Sequence, residues 1–346
     1  MTDNPTTLRP SRVRPAPEKS IEHRITTRDH WELSIYEFNP EVLPSPFRPI
    51  LLVHGLGANA YNMASPTYEA NLAEYLSSRG HHVWLLEMRG THRAKHLGQH
   101  PKKPRHRFDD HVFYDAPAAI EFVRQKTHSP DIHWAGHSLG GMVAYGYILN
   151  DLGNHIKRLV TFGAPTLGSP LPIGLELFSK TKPLSRFIPR LPITGVPFIA
   201  KLAPRLFRYV AAQVTSHAKN IPKEDVYGLA SMAMEPIETT LLVQLADYIH
   251  EIQSASKSSK FLYWNQLENI TCPTMLIAGT KDYLAPLQEI ERTCEGIGAH
   301  RKELVICGKD NGFELDYGHI DLVLARNARK EIYPHVARWF EDPNLA

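Results

Sequence analysis

Cysteine is scarce in this chain of 346 residues: there are three, at positions 272, 294 and 307, and no CxxC pair. That spacing excludes a cysteine-rich zinc site and a dithiol redox motif, and it fits free thiols in a reducing compartment. No run of about 18 apolar residues occurs, so no transmembrane helix is expected. Residues 1–20 contain no apolar stretch that could serve as the core of a secretory signal. The formal net charge is only +3, and no RNA-binding signature or internal repeat is present, so nucleic acid is not an expected partner. These absences predict a cytoplasmic protein.

Hydrophobic residues make up 42% of the chain, enough for one large core. Short apolar runs carry most of the pattern. Ile50–Val53, His82–Leu86, Ile132–Ala135, Arg158–Phe162, Thr274–Ala278 and Leu304–Cys307 each read as a strand buried on both faces. Helical periodicity separates several of them, over 69–79, 115–126 and 139–149, and a broken helix is expected over 320–340 with an interruption near Pro334. Residues 23–38 read as a β-hairpin. Strands alternating with helices predict an α/β fold with a mostly parallel central sheet flanked by helices.

Three segments do not fit the alternation. Residues 1–20 are rich in Pro and Arg and are expected to be a disordered arm. Residues 89–107 form a basic loop. Residues 165–269 are dense in Pro, Leu, Ile and Phe and are expected to be a mainly helical cap inserted between core segments 21–164 and 270–346. The cap is lopsided in charge: Lys180, Lys182, Arg186, Arg190, Lys201, Arg205 and Arg208 face Glu176 alone between 175 and 210. Apolar residues alternate with them, among them Phe178, Phe187, Ile188 and Phe198. Such a surface either covers a cleft with its apolar side or lies on an anionic lipid interface, so peripheral membrane contact is a second expectation.

The chemistry is concentrated at Gly136-His137-Ser138-Leu139-Gly140. This GxSxG stands between a predicted strand and a predicted helix, the context of a nucleophile elbow. A strand that reverses directly into a helix needs close backbone approach, which glycine permits. Ser138 is then displayed at the carboxyl edge of the sheet, beside the N-terminal end of a helix that favours developing negative charge.

With these residues in hand, the chain resembles the α/β-hydrolase superfamily, and within it the acid-lipase and polyhydroxyalkanoate-synthase-like branch. The resemblance covers about residues 45–165 and 270–340 and rests on LLVHGLGAN, LLEMRGTHRAKH, FYDAPAAIEFV, WAGHSLGG, LIAGTKDYLAP and DYGHIDLV in fixed order. Two departures matter. Animal acid lipases are secreted, and polymer synthases use a cysteine where this chain has Ser138, which disfavours polymer synthesis. Epoxide hydrolases and haloalkane dehalogenases use an Asp nucleophile and are disfavoured too.

The resemblance implies the chain order serine, acid, histidine. His319 is the expected base, after the last strand and before the final helix. Asp282 is the expected acid, just past the strand Thr274–Ala278, ahead of Asp310, Asp316 and Asp321, which lie on the histidine side of the last strand. The backbone N–H groups of Leu56 and Leu139 are the expected oxyanion donors. His137 is expected to pack beside the elbow and His54 to shape the oxyanion loop. No metal or organic cofactor is required. The implied activity is hydrolysis of lipid-like or medium-chain acyl esters through an acyl-enzyme. Two alternatives remain open: acyl transfer by the same three residues, and a non-hydrolytic small-molecule-binding protein on this scaffold.

Overall fold

Alternation along single strands decides how the sheet is packed. In β3 (Ile50–Val53), Ile50 and Leu52 enter one hydrophobic cluster, while Leu51 and Val53 enter the other. A strand with apolar residues at successive positions must be covered on both faces. The computed structural model describes residues 15–40, 45–66, 71–98, 104–150, 152, 155–166, 187–191, 193, 220–221, 232–253 and 266–345.

The hairpin β1 (Ile21–Thr26) and β2 (Trp31–Phe38) lies at one edge of a nine-stranded sheet. β2 pairs antiparallel with β4 (Val83–Glu87), and also with the short β5 (Lys95–His96). From β4 onward every neighbour is parallel: β4, β3, β6 (Ile132–His137), β7 (Ile156–Phe162), β10 (Thr274–Gly279) and β11 (Lys302–Cys307). All six therefore end at one edge, where the loops that follow them meet.

Helices cover both faces. α1 (Leu72–Ser78) buries Leu72, Ala73 and Leu76 on the side of Ile50 and Leu52. Asn71 caps it by accepting from the Glu74 N–H at 2.9 Å. α2 (Ala116–Thr127) and α3 (Leu139–Leu149) lie on the other face with Trp84 and Trp134. α2 begins as a π-helical turn over His111–Asp115, which the sequence pattern does not signal. α3 buries nine of its eleven residues, which follows from its position under the sheet centre.

The region expected as a cap lies mostly outside the described residues, including Lys180, Lys182, Arg186, Lys201, Arg205 and Arg208. Its described parts include β8 (Arg190–Leu191), paired antiparallel with β9 (Ile237–Glu238), and α4 (Thr239–Gln253). Of the first twenty residues, 15–20 are described. There Tyr61 Oη donates to the Pro15 carbonyl at 3.0 Å, and Ala16 packs on the core, so this end of the expected arm is held.

One expectation needs correction. The final segment is three helices, not one interrupted near Pro334: α6 (Asp321–Leu324), α7 (Ala328–Glu331) and α8 (Tyr333–Glu341), after α5 (Leu287–Gly296). The main break is at Ala325, whose ψ of 145° is extended. There the Arg326 N–H leaves the helix to donate to the Asn220 carbonyl at 3.0 Å. Pro334 sits in the first turn of α8, where its missing N–H costs nothing. No described helix is long and apolar enough to cross a membrane.

Candidate active site

Ser138 stands between β6 and α3 with φ 51° and ψ −116°, a conformation that L-residues rarely adopt. The turn is held on both sides. The Ser138 N–H donates to the Phe162 carbonyl at 2.8 Å, and Trp134 Nε1 donates to the Gly140 carbonyl at 3.1 Å. A Cβ at Gly140 would lie 2.3 Å from the Val53 carbonyl oxygen, so only glycine lets α3 start this close to β3.

His319 follows β11, and Asp282 follows β10. The parallel sheet brings them together: His319 Nδ1 lies 2.8 Å from Asp282 Oδ2, with both side chains buried. The other carboxylate oxygen is also fixed, because Asp282 Oδ1 accepts from the Leu284 N–H at 2.9 Å and the Ala285 N–H at 2.8 Å. An ionised carboxylate only accepts, so the ring donates through Nδ1 and its Nε2 is left as the proton acceptor. Gly163, at the end of β7 with φ 52°, makes room for the pair. A Cβ there would lie 2.9 Å from Asp282 Oδ2 and 3.1 Å from His319 Nδ1.

The competing aspartates go elsewhere. Asp316 Oδ1 accepts from Thr280 Oγ1 at 3.1 Å and from the Lys309 N–H at 3.1 Å. Asp321 Oδ2 accepts from the Gly318 N–H at 2.9 Å. Asp310 is exposed in the turn Lys309–Asn311.

His137 links the serine turn to the histidine loop. Its Nε2 donates to the His319 carbonyl at 3.1 Å, and the two rings lie 4.8 Å apart between centroids. On its other side Nδ1 meets Asn62 Oδ1 at 2.9 Å, and the same oxygen accepts the Gly55 N–H at 3.1 Å. His137, Asn62 and Gly55 thus connect the loop after β3 to the serine turn and the histidine loop. Neither Asn62 nor Gly163 carries a local sequence signal, because Asn62 meets His137 from 75 residues away and Gly163 faces Asp282 and His319.

The loop after β3 turns at Gly57, whose carbonyl accepts the Glu235 N–H at 2.8 Å. Leu56 and Leu139 line one cleft with Met88, Ile237 and Leu241. Among the described residues, neither the Leu56 nor the Leu139 N–H meets an acceptor. Both donors thus belong to residues that line one cleft, and Leu139 stands at the start of α3. His54 shapes this loop from below: its Nδ1 donates to the Gly55 carbonyl at 2.8 Å, and its Nε2 accepts the Met88 N–H at 3.1 Å. Arg89 anchors the next loop. Its guanidinium reaches Asp115 Oδ1 at 2.8 Å and Asp29 Oδ2 at 2.6 Å. That guanidinium and His111 hold the Asp115 carboxyl well below the usual range despite its burial.

Burial also depresses several histidines. His54 and His81 are pushed down to about 4, and His106, His133 and His137 also lie well below the ordinary value. A group whose folded pKa lies below its unfolded value stabilises the fold above the unfolded pKa, near 6.5 for histidine, and loses that contribution as pH falls. For His54 and His81 the window runs from about 6.5 to about 4, and each costs about 2 kcal/mol by pH 5. The Tm measured by calorimetry is therefore expected to be flat from pH 8 to 7 and to fall steeply below pH 6. A Tm unchanged down to pH 5 would contradict the neutral, buried assignment.

The profile of the alpha/beta hydrolase fold matches residues 48–317. The chain belongs to that family. Human gastric triacylglycerol lipase (Homo sapiens) is 27% identical over 342 residues, covering 85% of this chain and 80% of that protein. The tear acid lipase-like protein of Mesocricetus auratus is 24% identical over 319 residues, covering 82% and 77%. Among solved structures, a soluble variant of the Saccharomyces cerevisiae monoglyceride lipase superposes with a TM-score of 0.60 at 15% identity, covering 98% of both chains. An esterase from Thermogutta terrifontis gives a TM-score of 0.60 at 15% identity, covering 92% and 97%. These two show the shared fold. Within the alpha/beta hydrolase family the chain is a lipase- and esterase-like hydrolase.

Proposed function

We propose that the protein is a serine carboxylic ester hydrolase for lipid-like or medium-chain acyl esters. The observation that carries this reading is the buried His319–Asp282 pair at 2.8 Å, on the sheet edge where Ser138 is held at a positive φ. Serine is a weak nucleophile, and a neighbouring imidazole that takes its proton makes attack on an ester carbonyl feasible. Asp282 holds the ring in the tautomer with Nε2 free and stabilises the imidazolium that forms. The carbonyl oxygen becomes an oxyanion, and the Leu56 and Leu139 N–H groups are the donors for it. His319 then gives its proton to the leaving alcohol. Water attacks the acyl-enzyme by the same route, and Ser138 is regenerated.

The substrate side of the reading rests on Leu56, Met88, Leu139, Ile237 and Leu241, the apolar part of a cleft that also carries polar groups such as Arg89, His111 and Glu238. It also draws on the similarity to the human gastric triacylglycerol lipase and the yeast monoglyceride lipase. Contact with a lipid surface belongs to the same proposal, since Phe187 and Ile188 in the described part of the cap region are exposed.

A series of p-nitrophenyl esters from acetate to palmitate tests it. The expected outcome is a burst of nitrophenol of one equivalent per chain, with kcat/KM rising from acetate to medium chains. Pretreatment with a fluorophosphonate should remove the burst and modify Ser138. An enzyme that never forms a labelled Ser138 would refute the acyl-enzyme.

A further inference from the structure

Beside the loop after β3 lie three side chains that the ester chemistry does not use. Glu87 ends β4, His92 stands in the loop after it, and Glu235 lies just before β9. One ligand atom from each lies within 4.8 Å of the other two. Glu87 and Glu235 are only 2% and 3% exposed, while His92 is partly open.

Hydrogen bonds account for one carboxylate but not for the other. Glu235 Oε1 accepts from Asn59 Nδ2 at 2.8 Å and lies 2.7 Å from His92 Nδ1. Its Oε2 accepts the His92 N–H at 3.1 Å. Glu87 Oε2 accepts from Tyr36 Oη at 2.8 Å, but Glu87 Oε1 is buried and meets no donor among the described residues. The nearby Arg93 is engaged with Glu22 at 2.8 Å. A buried carboxylate oxygen without a donor, beside a second buried carboxylate, is costly unless a proton or a cation joins them, and burial and Glu235 hold the Glu87 carboxyl above the usual range.

We propose that Glu87, His92 and Glu235 bind a divalent transition-metal cation, with Zn²⁺ the preferred ion. Two carboxylates balance a charge of +2. The imidazole nitrogen excludes the all-oxygen cages that Ca²⁺ and Mg²⁺ favour and suits zinc. Tetrahedral zinc with bonds of about 2.1 Å sets its ligand atoms about 3.4 Å apart, so His92 Nδ1 and Glu235 Oε1, now 2.7 Å apart, open slightly while the wider separations, at most 4.8 Å, close in. His92 exchanges its bond to Glu235 for the metal, and a water reaches the fourth position from its open side.

The role of the ion is structural. Glu235 is tied by its N–H to the Gly57 carbonyl and by its side chain to Asn59. A cation on Glu235 and Glu87 would join the end of β4, the loop after it and the segment entering β9, bracing the loop after β3 from the side. It lies outside the reacting groups, so its fate is independent of the ester hydrolase reading.

The test uses the full chain, stripped with a chelator and dialysed, then titrated with ZnCl2 by calorimetry and followed by thermal unfolding. The expected result is one tight site with a Kd of about 1 μM or below and a Tm rise of about 5 °C at saturation. A chelator should reverse the rise. The chain has 19 histidines, so weak surface binding is expected in every variant, and only the one-equivalent tight phase is read. Glu87→Gln, which keeps shape, and His92→Ala, on a partly open side chain, should each lose that phase with unchanged circular dichroism. If Glu87→Gln does not fold, His92→Ala carries the comparison. A tight phase retained in the folded variants, or absent from the wild type, overturns the proposal.

Discussion

Ser138→Ala is expected to lower kcat for ester hydrolysis by on the order of 10⁵-fold or more, leaving only the rate that binding and the oxyanion donors sustain. The fold should not suffer. The Ser138 side chain makes no capping bond to α3, while the backbone N–H that holds Phe162 is kept in the alanine variant. Alanine keeps the Cβ and pays the same cost at φ 51°, so the Tm is expected to stay within about 2 °C of wild type or to rise slightly. Fluorophosphonate labelling should disappear with the rate. The informative comparison is rate against stability in one preparation. A folded Ser138→Ala enzyme that keeps a tenth of the activity would remove Ser138 as the nucleophile.

What the sequence discloses about this site depends on how local each determinant is. The ILLV run, the WAGH strand and the glycines around Ser138 carry their burial and turn geometry within a few residues, so the elbow and the parallel strands were legible. Asp282 was legible only through the family resemblance, since composition alone does not distinguish it from Asp310, Asp316 or Asp321. The geometry separates them, because Asp282 is the one whose carboxylate meets the His319 ring. The break at Ala325 was not legible, because it answers to Asn220, about a hundred residues away in the chain. Asn62 was missed for a similar reason. An asparagine in ANAYN looks like any turn residue until His137 and Gly55 are brought to its side-chain oxygen. The π-helical turn at His111–Asp115 likewise reflects long-range demands, with Asp115 aimed at Arg89.

Asp282→Asn should cost about 10⁴-fold in kcat, and the reason lies in which oxygen is already committed. Asp282 Oδ1 accepts two backbone N–H groups, from Leu284 and Ala285. An asparagine must keep its carbonyl oxygen there, since an NH2 group facing those donors would be repelled. Its NH2 therefore turns to His319 Nδ1, where Asp282 Oδ2 stands in the wild type. Facing a donor, the ring must accept at Nδ1 and carry its proton on Nε2, the tautomer that cannot take a proton from Ser138. The loop keeps its turn, so a normal Tm should accompany the loss. Asp310→Asn, on an exposed turn, is the matched control and should leave kcat/KM within about twofold. Steady-state rates for both variants, read beside their melting curves, separate tautomer control from simple unfolding. Full activity in Asp282→Asn together with a collapse in Asp310→Asn would transfer the acid role to position 310.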